Sequence, residues 1–282
     1  MQRREFFKRL ISMTAVGILP DAKNLIACSI WPLYLITKEI VDVSQFEIKT
    51  IVPQWKDPHD YVLKPKDKLM LDNASLFFEI GLGIEKNMKS KKSIVLSENY
   101  PNLIGRHRVG NIVIANPHIW LDPVIVKNYI LPGILNVLVK KYPSVVSIKK
   151  VKGFKERLSE MNKRFETDLA AVKSVPFITE EGAFDYFVRR YHLNLAGSVE
   201  RDKSKAGSNI RWLYNLSGII KRQNVHVLFI HAASSIEPFR IFVEDYGLKI
   251  YRLHPLGYGQ SSYKSMMYGN ERTILKVLKK WT

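Results

Sequence analysis

At 282 residues, with 46% hydrophobic and 25% charged positions, the chain can bury one large core or two moderate ones and has an ordinary globular composition. Its 44 Lys and Arg against 26 Asp and Glu give a formal charge of +18, but the basic residues are spread along the chain. With no recognition-helix, zinc-finger or aromatic-basic signature, specific nucleic-acid binding is not expected; no apolar run of about twenty residues suggests an internal membrane helix.

The first residues read as an address. Gln2-Arg3-Arg4-Glu5-Phe6-Phe7-Lys8 is similar to a twin-arginine export signal, and the apolar stretch Leu10 to Leu19 follows it and closes at Pro20. Residues 1–22 are therefore expected to be a signal segment, recognised by the twin-arginine machinery, with the mature protein in the periplasm. Leu25-Ile26-Ala27-Cys28 fits a lipobox on paper, but Asp21 and Lys23 interrupt the apolar run before it. The segment reads better as a buried first strand, with the single cysteine, Cys28, a small core residue that can form no intramolecular disulfide.

From there strand-like and helix-like pieces alternate. Leu25 to Ile30, Phe46 to Val52, Leu76 to Glu79, Ser93 to Leu96 and Ile112 to Ala115 read as strands, with helices over Leu33 to Val41 and Lys66 to Asn73. Pro123 to Tyr142 is helical in pattern, with Pro132-Gly133 expected to break or kink it. Phe154, Leu158, Met161, Phe165 and Leu169 recur at spacings of three and four, which predicts a long helix with one narrow apolar face. The rhythm then restarts. Val175 to Thr179, Leu195 to Val199, Val225 to Ile230 and Lys249 to Leu253 are strands; Ala183 to Tyr191, Ile210 to Arg222, Ile236 to Tyr246 and Tyr263 to Lys280 are helices. Such alternation predicts an α/β fold with mostly parallel sheets.

Two strings present histidines from stiff backbone, Asp57-Pro58-His59-Asp60 and Asn116-Pro117-His118-Ile119-Trp120-Leu121-Asp122-Pro123. Proline fixes its own φ and biases the preceding residue towards extended conformations. His59, His118, Glu181 and His254 each follow a predicted strand, where ligands of open α/β sheets sit. Three imidazoles and a carboxylate suit a first-row divalent ion; nitrogen-rich coordination favours zinc, while the carboxylate admits manganese or iron. His107, His192 and His226 have no such context and read as surface or strand-edge residues.

With these motifs together, the chain resembles the zinc/manganese-binding solute receptors of bacterial ABC metal importers. The matching text is Asp57-Pro58-His59 with Tyr61 and Pro65; Asp72-Asn73-Ala74 leading to Gly81-Leu82-Gly83-Ile84-Glu85; the Asn116 to Pro123 string; Thr179-Glu180-Glu181-Gly182-Ala183-Phe184-Asp185-Tyr186-Phe187 with Tyr191; and Leu253-His254-Pro255-Leu256-Gly257. The resemblance implies two α/β lobes, residues 23–147 and 173–282, joined by one rigid helix over 148–172, with the metal in the cleft between them. It implies His59 and His118 as ligands from the first lobe and Glu181 and His254 from the second. It also implies a monomer that hands its metal to a membrane permease and its ATPase, without enzymatic turnover.

One departure stands out: His254 occupies a position that is usually aspartate in the family. A His3Glu site carries one formal negative charge instead of two and should favour zinc over manganese. His231 stands where relatives often have glutamate, and is expected behind the ligands; Trp120 and Asp122 are expected to support His118 by packing and hydrogen bonding. The alternatives are an adhesin or binding module that keeps the fold with an altered site, and a metallohydrolase, which would need an open coordination position and a base such as Glu180.

Overall fold

The computed structural model describes residues 24–85, 87–109, 112–198 and 208–282. The expected signal segment 1–22 lies outside them, as does Val199 at the end of one predicted strand. The rest forms two α/β lobes, each built on a four-stranded parallel sheet.

In the first lobe the strands β1 (Asn24–Cys28), β2 (Phe46–Thr50), β3 (Leu76–Glu79) and β4 (Ser93–Val95) lie in the order β2-β1-β3-β4. The second lobe orders β7 (Phe177–Thr179), β8 (Leu195–Ser198), β9 (Val227–His231) and β10 (Lys249–Leu253) as β10-β9-β7-β8. Both sheets are covered on both faces, as parallel sheets require. Ile26, Cys28, Leu76 and Phe78 point into one apolar cluster, whereas the intervening Ala27 and Phe77 point into another. In the second lobe Val227 and Phe229 face the shared cluster, while Leu228 and Ile230 face the opposite side.

The strand Ile112–Ala115 (β6) departs from the expected βα rhythm. It pairs antiparallel with Gly105–Val109 (β5) in a separate two-stranded ribbon. Parallel partners need a crossover of a dozen or more residues, and only two residues separate these strands. The basic Gly105-Arg106-His107-Arg108 text concealed the partner strand.

The helix over Pro123–Lys141 is continuous, and Pro132 is absorbed by a widened π turn at Val126–Ile130, where the Leu131 N–H reaches back to the Val126 carbonyl. Proline supplies no N–H to the ladder and crowds the carbonyl four residues earlier, so a wider turn resolves the conflict without breaking the helix. At nineteen residues this helix is apolar and long enough to cross a membrane by composition, contrary to the expectation of none. Ile125, Val126, Ile130, Leu131, Ile134 and Leu138 are nevertheless in the core.

The amphipathic stretch forms the helix Ile148–Leu169, capped by Ser147, whose Oγ accepts the Lys150 N–H. Its predicted apolar residues Phe154, Leu158, Met161, Phe165 and Leu169 are all buried. They belong to one apolar cluster that runs from β1 to the closing helix Tyr263–Leu278.

After β3 the backbone takes three successive positive φ values, at Gly81, Leu82 and Gly83. A Cβ on Gly81 would lie 2.6 Å from Val95 Cγ1, so only glycine fits there. This turn aims the Ile80 and Gly81 N–H groups at the buried Glu85 carboxylate, each at 2.9 Å, and the Ser29 hydroxyl donates to it at 2.7 Å. Burial still pushes the Glu85 carboxyl up to about 7.

Candidate metal centre

All four predicted ligands stand beyond the carboxyl ends of strands, in the loops that follow them. His59 follows β2 on an Asx turn, its N–H donating to Asp57 Oδ1 at 2.9 Å, with Pro58 buried beneath an exposed imidazole. His118 follows β6 and is buried. The two imidazoles are neighbours, with ring centroids 5.9 Å apart.

Asn116 sets the chemistry of His118. Its amide nitrogen donates to the Gly182 carbonyl at 2.6 Å and to Asp185 Oδ2 at 3.1 Å, which fixes the amide's orientation. The amide oxygen then accepts from the His118 backbone N–H at 3.0 Å and lies 2.8 Å from His118 Nδ1. An amide oxygen only accepts, so Nδ1 carries the proton and Nε2 presents its lone pair. That is the tautomer a metal-ligating histidine needs, with its other nitrogen held by an oxygen. Asn116 also joins the lobes, because Gly182 and Asp185 directly follow Glu181 after β7. A Cβ on Gly182 would lie 2.6 Å from Asp185 Oδ2 and 3.3 Å from Asn116 Nδ2, so glycine makes the close approach possible.

Trp120 supports His118 as expected: it is fully buried, and the two ring centroids are 5.0 Å apart. The indole N–H donates to the Pro255 carbonyl at 2.8 Å, and the Tyr263 hydroxyl donates to the Trp120 carbonyl at 2.8 Å. The tryptophan thereby couples His118 to the His254-Pro255 turn. Asp122 acts differently from expectation. It caps the next helix, accepting the Val124 and Ile125 N–H groups at 2.8 and 3.2 Å, and pairs with Arg190 of the second lobe at 2.8 Å.

The second lobe contributes Glu181, His231 and His254. Glu181 lines a small pocket at the ends of β7, β9 and β10 with Glu180, His231, Leu253 and Pro255. His254 is clamped through its backbone: its N–H donates to Asn270 Oδ1 at 2.8 Å, and its carbonyl accepts from Asn270 Nδ2 at 3.0 Å. Burial, and then the nearby Arg252 charge, hold the His254 imidazole below the ordinary histidine range. Its Nδ1 is buried with no hydrogen-bond partner among the described residues. Such an orphaned nitrogen is costly to bury and fits a position meant for a cation.

Tyr258 stands among these groups, its ring 5.4 Å from that of His231 and 6.4 Å from that of His254. Burial pushes its phenol up to about 12, with smaller contributions from Asp57 of the first lobe and Glu181 of the second. Glu180, the base a hydrolase would need, accepts the His231 backbone N–H at 3.0 Å. The structure thus brings His59 and His118 together, lines one pocket with Glu181 and His231, and sets the rings of His231 and His254 both beside Tyr258. Among the described residues, no three His, Cys, Asp or Glu side chains converge closely enough to hold an ion as they stand.

Sequence reading missed Asn116 as the orienting group, although an Asn-Pro-His string is itself an Asx-turn signal. It also missed Tyr258 and Asn270, which carry no local signature. His226 is confirmed at a strand edge, its ring stacked on Trp281 at 4.5 Å, and His192 ends a helix with φ +52°.

Comparison with known proteins identifies the family and the fold. Residues 26–277 match the family described as zinc-uptake complex component A, periplasmic (ZnuA). A Thermotoga maritima protein named for metal binding is 27% identical over 279 residues, covering 96% of this chain and 94% of that one. The high-affinity zinc uptake system protein ZnuA of Bacillus subtilis is 24% identical over 254 residues, covering 82% and 78%. Among solved structures, the Pseudomonas aeruginosa SBP FpvC in complex with Mn2+ has the same fold, with a TM-score of 0.79 at 20% identity, covering 93% of this chain and all of that one. The chain belongs to the ZnuA family of periplasmic zinc-uptake components.

Proposed function

We infer that this protein captures a divalent transition metal outside the cytoplasmic membrane and passes it to the permease of an ABC importer driven by its ATPase. Zinc is the favoured cargo, ahead of manganese and iron. His59 and His118 of the first lobe and Glu181 and His254 of the second are the ligands, and the residues ahead of the first strand direct export by the twin-arginine route. The protein acts as a monomer in the periplasm, without a lipid on Cys28.

The observation that carries this reading is the Asn116 amide, which orients the His118 imidazole while holding the Glu181 loop of the opposite lobe. The buried Nδ1 of His254, without a hydrogen-bond partner among the described residues, supports the fourth position. Three neutral imidazoles with one carboxylate leave the bound ion with a net charge of about +1. Such nitrogen-rich surroundings suit zinc better than manganese. The chemistry is coordination, and release requires that the two walls stop converging.

The test is titration of protein purified without metal, using zinc, manganese and ferrous iron beside His118→Ala and His254→Ala. One-to-one binding is expected, tightest for zinc, with His118→Ala weakening it by about 100-fold or more, beyond the range typical of outer-sphere changes. His254→Ala should weaken it as well and narrow the preference for zinc. Absence of binding by the unaltered protein at micromolar metal would overturn the reading.

A further inference from the structure

The pole of the first lobe opposite the metal site has its own chemistry. Between Leu138 and Lys152 the chain carries Lys140, Lys141, Lys149, Lys150 and Lys152 and no acidic residue. This stretch forms the end of one helix, the turn at Pro143–Val145 and the start of the linking helix, and all five lysines are exposed. Val139, 54% exposed, and Ile148, 84% exposed, flank the turn among them. Of the neighbouring acids, Glu39 pairs with Arg157 at 2.6 Å and Glu47 with Lys49 at 2.8 Å, Asp42 accepts the Ser44 N–H at 3.0 Å, and Glu156 follows Lys152 by one turn; Lys150 Nζ donates to the Val41 carbonyl at 3.3 Å.

The position of this corner is well defined. Val41 bridges to Val146, Gln45 bonds Ser144, and the Tyr142 ring packs on Phe46, the first residue of β2. Phe46 lies in register with Asn24, the first residue of β1. The corner is therefore at the amino ends of the strands, whereas His59 and His118 lie beyond the carboxyl ends. The chain also enters β1 at this pole.

Exposed branched aliphatic residues at a turn between two helices, flanked by lysines with no acid between them, match the two-part character of a lipid surface. The lysines complement anionic phosphates, and the aliphatic tips suit the headgroup boundary. A protein groove would offer apolar walls to a protruding residue, but five exposed lysines with no acid between Leu138 and Lys152 favour a broad anionic plane. We propose that this corner seats the receptor on an anionic phospholipid surface, with Ile148 and Val139 entering the headgroup layer and the lysines engaging phosphate. Lipid contact at this pole leaves the metal-site loops, beyond the opposite strand ends, open to solvent.

The test uses the full chain with vesicles of phosphatidylglycerol in phosphatidylcholine and with phosphatidylcholine alone. Cys28 is fully buried and its thiol is pushed up to about 12, so an environment-sensitive thiol dye reports only an introduced cysteine. Dye on Ile148→Cys should blue-shift on the anionic vesicles and stay unchanged on neutral ones. Dye on Tyr214→Cys, an exposed position of the second lobe, should not respond on either. Replacing Lys141, Lys149 and Lys152 together by Glu should weaken partition of the Ile148→Cys signal by about 100-fold or more, while metal affinity is retained. An unresponsive Ile148 probe, equal responses at both positions, or insensitivity to the lysine changes would overturn the proposal. A response that appears only when vesicles carry the importer would overturn it in favour of a protein partner.

Discussion

Asn116 does three things with one amide, and each depends on the others. Its nitrogen must face Gly182 and Asp185 for its oxygen to face His118, and that oxygen selects the Nδ1–H tautomer. Asn116→Ala would free the imidazole to rotate and leave the Gly182 carbonyl without its donor. Metal affinity should fall by about 10–100-fold with one-to-one stoichiometry kept, the usual cost of losing a group that orients a ligand. Isothermal titration beside His118→Ala separates the two roles, since losing the proposed ligand itself should cost more. Unchanged affinity in Asn116→Ala would show that Trp120 packing alone orients the ring.

Glu85 is a second residue whose environment has a measurable consequence. Its carboxyl is pushed up to about 7 by burial, against about 4.3 in an unfolded chain. A raised folded value means that the native state holds the proton more tightly than the unfolded state. Its contribution to stability is therefore complete below about pH 4 and is lost as pH rises through about 7. Chemical denaturation at pH 5 and pH 8 should show that loss, and Glu85→Gln, which does not titrate, should shrink the difference. Both residues lie within strings that sequence reading quoted, yet their roles were not legible there. Each acts through partners distant in the chain or through a turn geometry that composition does not encode.

At the scale of elements, legibility followed periodicity. The helix Ile148–Leu169 was readable because five apolar residues at spacings of three and four admit one buried face. The core strands were readable as short apolar runs, which is how strands covered on both faces appear. The ribbon partner of Ile112–Ala115 was not, since Gly105-Arg106-His107-Arg108 is basic and lacks an apolar alternation. The π turn ahead of Pro132 was half legible: the conflict could be foreseen, but not that one widened turn would absorb it. Phe165 is the most connected aromatic of the helix Ile148–Leu169, with ring centroids 6.0 Å from Phe187, 5.8 Å from Tyr191 and 5.0 Å from Tyr268. Phe165→Ala should destabilise the fold by about 3–5 kcal/mol, the range for emptying a large aromatic site in a core. A cost below about 1 kcal/mol in equilibrium denaturation would mean that the helix is a tether and not part of the core.

At the scale of the molecule, the same connectivity limits how the lobes can move. The shared apolar cluster continues from β1 through the helix Ile148–Leu169 to Tyr263 and Leu278, and polar ties join the two lobes. Trp31 Nε1 donates to the Gln260 carbonyl at 3.1 Å, the Gly259 N–H to Gln54 Oε1 at 3.1 Å, and Arg190 pairs with Asp122 at 2.8 Å. A wide hinge would pull apolar surface into water at about 25 cal/mol per Å2, so exposing several hundred Å2 would cost several kcal/mol. Parting only the loops that carry Gln54, His59, His254 and Gly259 breaks a few hydrogen bonds, each worth about 1 kcal/mol. Metal loading should therefore change the radius of gyration by less than about 1 Å, within a compact body of this length. Hydrogen exchange should slow on loading in segments 53–60 and 254–260, while the linking helix stays equally protected with and without metal. Small-angle scattering that shows a larger contraction, or linking-helix protection that depends on metal, would replace this loop mechanism with a hinge.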